Sequence, residues 1–180
     1  MKPPRWRAGL ALLLLPGLQA CGYALVGKGT IADPSIKRIG VPLAKDATGH
    51  PGLDQKVTQK IIEELLKRGR FQVVQESTGV DALVECELLS YAIVPVGFSV
   101  DPTDPSRTEA SRYAISLMAR VKYSKTGQLE PIWAAEAFSA RDESNVGDDP
   151  NTFFDRDEQV QERLATNFAR RLVSAMLEAF

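Results

Sequence analysis

The sequence is poor in the side chains most enzymes and metal sites need. Its 180 residues hold one histidine and two cysteines. A zinc site or a Cys–His nucleophile pair needs several such groups converging, and His50, set between Gly49 and Pro51, has no second imidazole to work with. It reads as an exposed loop residue. No Gly-x-Ser-x-Gly elbow occurs, and Gly27-Lys28-Gly29 lacks the spacing of a phosphate loop. Asp148, Asp149 and Asp155 crowd one stretch without the alternating oxygen ligands of an EF-hand, so no metal is expected there. A basic excess is missing too: 22 basic residues face 23 acidic ones, which removes nucleic-acid binding as a class. No cofactor and no enzymatic activity are expected.

Long apolar runs are equally scarce. The one candidate, Ala8 to Leu15, stops at Pro16-Gly17, short of the roughly 20 residues that span a bilayer. Lys2, Arg5 and Arg7 precede it, and small or turn-forming residues follow, which is the order of an export signal. Leu18-Gln19-Ala20-Cys21 resembles the bacterial lipobox, with Gln19 its least usual residue. Residues 1–20 are therefore expected to be a cleaved lipoprotein signal peptide and Cys21 the lipid attachment site. Each buried methylene contributes about 0.8 kcal/mol, so two or three acyl chains hold a protein on the membrane without a spanning helix. Gly22 stands where an aspartate would retain a lipoprotein in the inner membrane, so the cell outer membrane, facing the periplasm, is the expected location.

Without the leader's three basic residues, 19 basic face 23 acidic residues, a mild negative balance. Residues 21–35 read as the lipidated N-terminus and linker, and residues 36–180 as a single domain. With Cys21 lipidated, Cys86 has no disulfide partner and reads as a small buried hydrophobe between Val84 and Leu88.

Periodicity supplies the elements. Ile36 to Leu43 alternates, with Ile39, Val41 and Leu43 on one face of a strand, and a turn-rich stretch follows from Lys45 to Gly52. Leu53, Val57, Ile61 and Leu65, flanked by Ile62 and Leu66, form the apolar stripe of a helix from Leu53 to Arg68, stopped by Gly69. Arg70 to Gln75 is a short strand. Ala82 to Val96 is a long one, ended or bent by Pro95 and Gly97, and Ser99 to Glu109 is a polar loop. Arg112 to Ser124 alternates most clearly, Lys125 to Glu130 is a hairpin connection, and Ile132 to Ala140 is the antiparallel partner. An acidic loop from Arg141 to Asp155 leads to a helix from about Arg156 to Phe180, striped by Val160, Leu164, Phe168, Leu172 and Met176. Two amphipathic helices and a sheet with one apolar face predict an α+β two-layer sandwich: a mainly antiparallel sheet of about four to five strands, covered on one side.

Several of these pieces, in this order, resemble the LPS-assembly lipoproteins of the LptE family. They are Cys21-Gly22-Tyr23, the IKRIGVP strand (Ile36 to Pro42), Leu53 to Arg70, ALVECELLSYAIVP (Ala82 to Pro95), SRYAISLMARV (Ser111 to Val121), Trp133, and the closing FARRLVSAML. The resemblance implies a sheet backed by two helices on a lipid anchor. It further implies a lipoprotein that assists assembly of the LPS-transporting β-barrel LptD, lodges in it as a plug, and contacts lipopolysaccharide. Phosphates and acidic sugars call for accessible cations, and Arg112, Arg120 and Lys122 share the polar side of one strand. Glu85 and Glu87 project to the same side, and pairing with them as ordinary solvated ion pairs is the stronger reading of these cations. A different envelope role, as a periplasmic adaptor for a cell-wall synthase or a transporter, suits the same small lipid-anchored fold.

Replacing Cys21 with Ala tests the anchor. The variant is expected to fold normally yet lose its acyl groups by mass spectrometry and leave the outer-membrane fraction; unchanged attachment would show the lipobox to be misread.

Overall fold

The computed structural model describes residues 33–100, 104, 106–145 and 157–178. Strands β1 (Arg38–Gly40) and β2 (Lys45–Asp46) precede helix α1 (Leu53–Lys67), and β3 (Gln72–Val74) follows it. Three long strands come next, β4 (Ala82–Val100), β5 (Thr108–Lys125) and β6 (Trp133–Asn145), and then helix α2 (Asp157–Glu178). They form the expected α+β two-layer arrangement, with a six-stranded sheet in the order β3-β1-β4-β5-β6 and β2 beside β4. The sheet is mixed: β4, β5 and β6 are antiparallel, while β1 runs parallel to β3 and β4, and β2 parallel to β4. The parallel flank follows from α1, which carries the chain from β1 over one face to β3 as a crossover.

Helix α1 buries Leu53, Val57, Ile61 and Leu65 completely, while Leu66 on its flank stays exposed. Gly69, with φ of 66°, lets the chain leave the helix in a left-handed turn, and its N–H bonds the Leu66 carbonyl at 2.9 Å. The first strand is shorter than its sequence pattern. Val41 N–H donates to the Val74 carbonyl at 2.8 Å, and Pro42 can donate nothing further. The chain turns there, which leaves Leu43 at 56 % exposure although Ile39 and Val41 are buried. In the stretch read as turns, Lys45 and Asp46 add a two-residue strand opposite Glu87 and Leu88, too short to leave a periodic signal.

The long strands outrun their sequence limits. The hairpin of β4 and β5 continues through Pro95 to Val100 and back from Thr108, taking in Ser99, Val100, Thr108 and Glu109 from the two ends of the stretch read as a polar loop. From Leu89 onward no strand among the described residues pairs with the flank of β4 away from β5, and Pro95 lies beside a register shift at Val96. Edge positions and bulges are the two settings that tolerate a strand residue without an N–H. Strand β6 likewise extends to Asn145, absorbing the first five residues of the expected acidic loop. A bulge at Leu89, between the pairs Leu88–Ala119 and Ser90–Met118, switches which residues of β4 face inward. Before it these are Ala82, Val84, Cys86 and Leu88; after it they are Tyr91 and Ile93, opposite Leu117 and Ile115.

Both helices lie on that inward face. Helix α2 buries Val160, Leu164, Phe168, Leu172 and Met176. The two helices run in the same direction side by side, since Lys56 meets Glu158, Lys60 meets Glu162 and Arg68 meets Ser174. At the sheet margin Phe168 packs edge-on to Phe138 at 5.4 Å, which in turn meets Trp133 at 5.9 Å and lies 5.9 Å under the Arg171 guanidinium.

Phe168→Ala removes the buried ring that packs α2 on Phe138 of β6. It is expected to lower unfolding free energy by about 3–5 kcal/mol in urea titration, because the packed surroundings cannot collapse into the space.

Candidate functional site

The face of the sheet away from the helices carries charge. Alternation along β5 sends Arg120 and Lys122 to it, and antiparallel register sets them opposite Glu87 and Glu85. Lys45 of β2 pairs in register with Glu87 from the other side. On β6, a bulge opposite Arg120 brings Glu136 within reach. The Arg120 guanidinium donates from Nη1 to Glu87 at 2.6 Å and from Nε to Glu136 at 2.7 Å. One row across four strands therefore reads Lys45, Glu87, Arg120, Glu136, with signs alternating. Glu136 and then Glu87 hold the Arg120 guanidinium even more firmly protonated than usual. Lys45, Glu85, Cys86, Glu87, Arg120 and Lys122 line a depression of about 130 Å3 on this face.

The three cations expected to meet an anionic ligand are thus not one cluster. Arg120 and Lys122 are neighbours, and Lys122 is exposed, across from Glu85. Arg112 shares their face but lies eight residues away along the strand, about 26 Å, where it pairs with Glu143 at 3.6 Å. Cys86 is buried as expected, and burial, followed by the nearby Glu87 charge, pushes its thiol up to about 12, which leaves it inert as a nucleophile. His50 differs from its expected exposure: it is half-buried, its ring edge-on to Tyr91 at 4.4 Å, because the loop before α1 folds back on β4. No group of three potential metal ligands gathers among the described residues. Cys21 and the Asp148, Asp149 and Asp155 stretch lie outside the described residues. Sequence reasoning missed Lys45 and Glu136, which reach the charged row only through a two-residue strand and a bulge.

A family model described as LptE, Lipopolysaccharide-assembly, matches residues 36–176, from just before β1 almost to the end of α2. The chain belongs to the LptE family. No curated protein sequence matches it. Among solved structures, it is similar to a PelC dodecamer from Paraburkholderia phytofirmans, with a TM-score of 0.51 at 10% identity over 83% of this chain and 92% of that one. It is also similar to the rare lipoprotein B from Shewanella oneidensis, with a TM-score of 0.47 at 13% identity over 78% and 93% of the two chains. At such identities the PelC likeness speaks to the fold alone. No helix of the described residues is long and apolar enough to cross a membrane.

Where this LptE-family domain begins, the chain is tied to the sheet. The Lys125 ammonium donates to Asp33 at 2.5 Å and to the Ser35 hydroxyl at 2.8 Å, while Ser35 N–H also donates to Asp33. Beside this clamp, the Asp81 carboxylate accepts the backbone N–H groups of Lys37 and Arg38 at 2.9 and 2.8 Å. Bonding from Lys125 holds the Asp33 carboxyl well below the usual carboxylate range, and the two backbone donors lower Asp81. Neighbouring Tyr123 is pushed up to about 12 by burial and by the Asp33 charge. The whole assembly lies at the end of the β4–β5 ladder opposite its turn.

A carboxylate whose folded-state pKa is depressed contributes stability in full above its unfolded value, and that contribution is lost as pH falls through the folded value. Lys125→Met removes the largest cause at Asp33. The variant is expected to lose less stability than the parent on acidification between about pH 5 and pH 2, read as a flatter acid limb of thermal midpoint against pH.

Proposed function

We propose that this chain is an outer-membrane lipoprotein, anchored at Cys21 and facing the periplasm, that assists assembly of the LPS-transporting β-barrel LptD and plugs it. Membership of the LPS-assembly family carries the reading. The architecture supports it: helices cover one face of the sheet, the other presents charge without catalytic machinery, and the work of such a domain is contact. In this reading residues 1–20 are the cleaved signal, residues 21–35 the lipidated linker, and residues 36–180 the domain that meets the barrel.

Lipopolysaccharide is met through Arg120 and Lys122, with Arg112 further along the same face. Lys122 is exposed and, among the described residues, has no ion pair to break on taking a phosphate, whereas Arg120 must exchange Glu87 or Glu136 for it. The chemistry is non-enzymatic, since nothing needs to be cleaved or transferred for a plug to work.

Affinity purification of the tagged, lipidated chain from solubilised outer membranes tests the main claim. Recovery of a large β-barrel is expected; cell-wall synthase or inner-membrane transporter subunits without any barrel would favour the adaptor role instead. For the ligand, charge reversal at Arg120 and Lys122 together is expected to weaken binding of purified lipopolysaccharide about tenfold with the fold intact by circular dichroism. Unchanged binding would remove these two residues from the site.

A further inference from the structure

The charged face leaves part of its charge unused. Arg120 is shared between Glu87 and Glu136, which closes that triad. Lys45, Glu85 and Lys122 line the same depression as Arg120 and Glu87, and all three are exposed. Glu85 and Lys122 stand opposite each other in register, yet neither of them, nor Lys45, takes part in an ion pair among the described residues. Lys45 on β2 and Lys122 on β5 flank β4 from its two sides. Two strand spacings and one two-residue step put their Cα atoms about 12 Å apart, a gap that two flexible four-carbon stems can close from both ends. Glu85 lies between them on β4, about 5 Å from Lys122 at the backbone. Cys86, whose side chain turns inward to the core, contributes backbone to the floor. The depression of about 130 Å3 has room for a small polar group, where each water takes about 30 Å3.

We propose that this depression seats a phosphoethanolamine group, its phosphate drawn between Lys45 and Lys122 and its ammonium received by Glu85. The proposal rests on the reading of this face as the one that meets lipopolysaccharide, and it deepens that reading by naming the head group. Charge decides the choice. Lys45, Arg120 and Lys122 face Glu85, Glu87 and Glu136, so the surface is neutral overall while its charges stay separated. A bare phosphate would bring uncompensated negative charge beside Glu85, whereas a ligand with its own ammonium removes that conflict. A primary ammonium also offers three N–H donors to the carboxylate. A quaternary ammonium offers none and is held by aromatic faces, and no aromatic residue lines this depression. Such a group comes either as a phospholipid head or as a substituent of lipopolysaccharide.

The test uses the full, lipidated chain, isotope-labelled and held in detergent micelles. It is titrated with soluble glycerophosphoethanolamine, glycerophosphocholine and glycerol phosphate while the amide shifts around Glu85 and Lys122 are followed by NMR. Saturable binding of the ethanolamine probe is expected, about tenfold tighter than either of the others. Glu85→Gln is expected to cut that preference to about twofold or less, while Lys45→Met and Lys122→Met weaken binding of every probe. All three positions are exposed, so thermal midpoints are expected to stay unchanged. Equal binding of the ethanolamine and choline probes, or a preference that survives Glu85→Gln, would overturn the proposal. Short-chain phosphatidylethanolamine and lipopolysaccharide with and without phosphoethanolamine then compete for the occupied site. Displacement by the phospholipid or by the substituted lipopolysaccharide names the source, and displacement by neither overturns the site. Lipopolysaccharide that binds equally with and without the substituent, and that charge reversal at Arg120 and Lys122 still weakens, would overturn the head-group assignment and leave the wider reading standing. Displacement by the phospholipid, with no binding of either lipopolysaccharide, would keep the site and overturn the wider reading.

Discussion

Burial on one side of the sheet governs the rest of this molecule. Leu164, Phe168, Leu172 and Met176 of α2 and Val57, Ile61 and Leu65 of α1 press on inward residues of β4 and β5 such as Leu88, Leu117 and Val121, all with essentially no solvent contact. Each such side chain gains roughly 1.5–3 kcal/mol by leaving water, and the gain is available on only one face because both helices lie there. The opposite face must then satisfy water, and it does so with charge. Period-two alternation converts that division into sequence: once Leu117, Ala119 and Val121 are committed inward, Arg112, Arg120 and Lys122 have nowhere else to go.

That link explains how much of the structure could be read beforehand. Helices of four turns and strands of a dozen residues repeat their pattern often enough to declare themselves, so α1, α2, β5 and the two-layer architecture were legible. What escaped is local and aperiodic. Lys45–Asp46 is too short to show a period, and the bulge at Leu89 reverses the inward set of β4 midway, so one alternation rule cannot describe the strand. Pro95 and the turn-forming residues near it look like a strand end, yet the ladder runs on, because among the described residues that flank has no neighbouring strand to which a missing N–H would matter. Of the candidate site, the cations on β5 were visible, as was the prospect that Glu87 would pair with Arg120. Glu136 was not, since it is brought there by a bulge on a strand across the sheet. Arg112 carried the right charge on the right face, but distance along a strand separates it from the other two.

The charged row also bears on what kind of ligand this face can hold. An arginine already bridging two carboxylates is geometrically fixed but electrostatically spent, while an exposed lysine on a flexible stem is the reverse. In the proposed lipopolysaccharide site, a phosphate would find Lys122 ready and Arg120 conditional. Binding at such a face responds to whatever else competes for Glu87 and Glu136, and it weakens with salt because little of it is shielded from solvent.

The Asp81 carboxylate, which receives the N–H groups of Lys37 and Arg38, has a consequence for the order in which the chain assembles. Its bond with Lys37 closes a span of 44 residues, whereas β4, β5 and β6 meet across short connections between neighbours in the chain. Entropy favours closing the short spans first, so the meander can form as a template while β1, α1 and β3 are still free, and the long span is latched last. A chain folding this way has its N-terminal edge as its final and most easily reopened seam, at the end of the domain where the membrane tether is expected to enter.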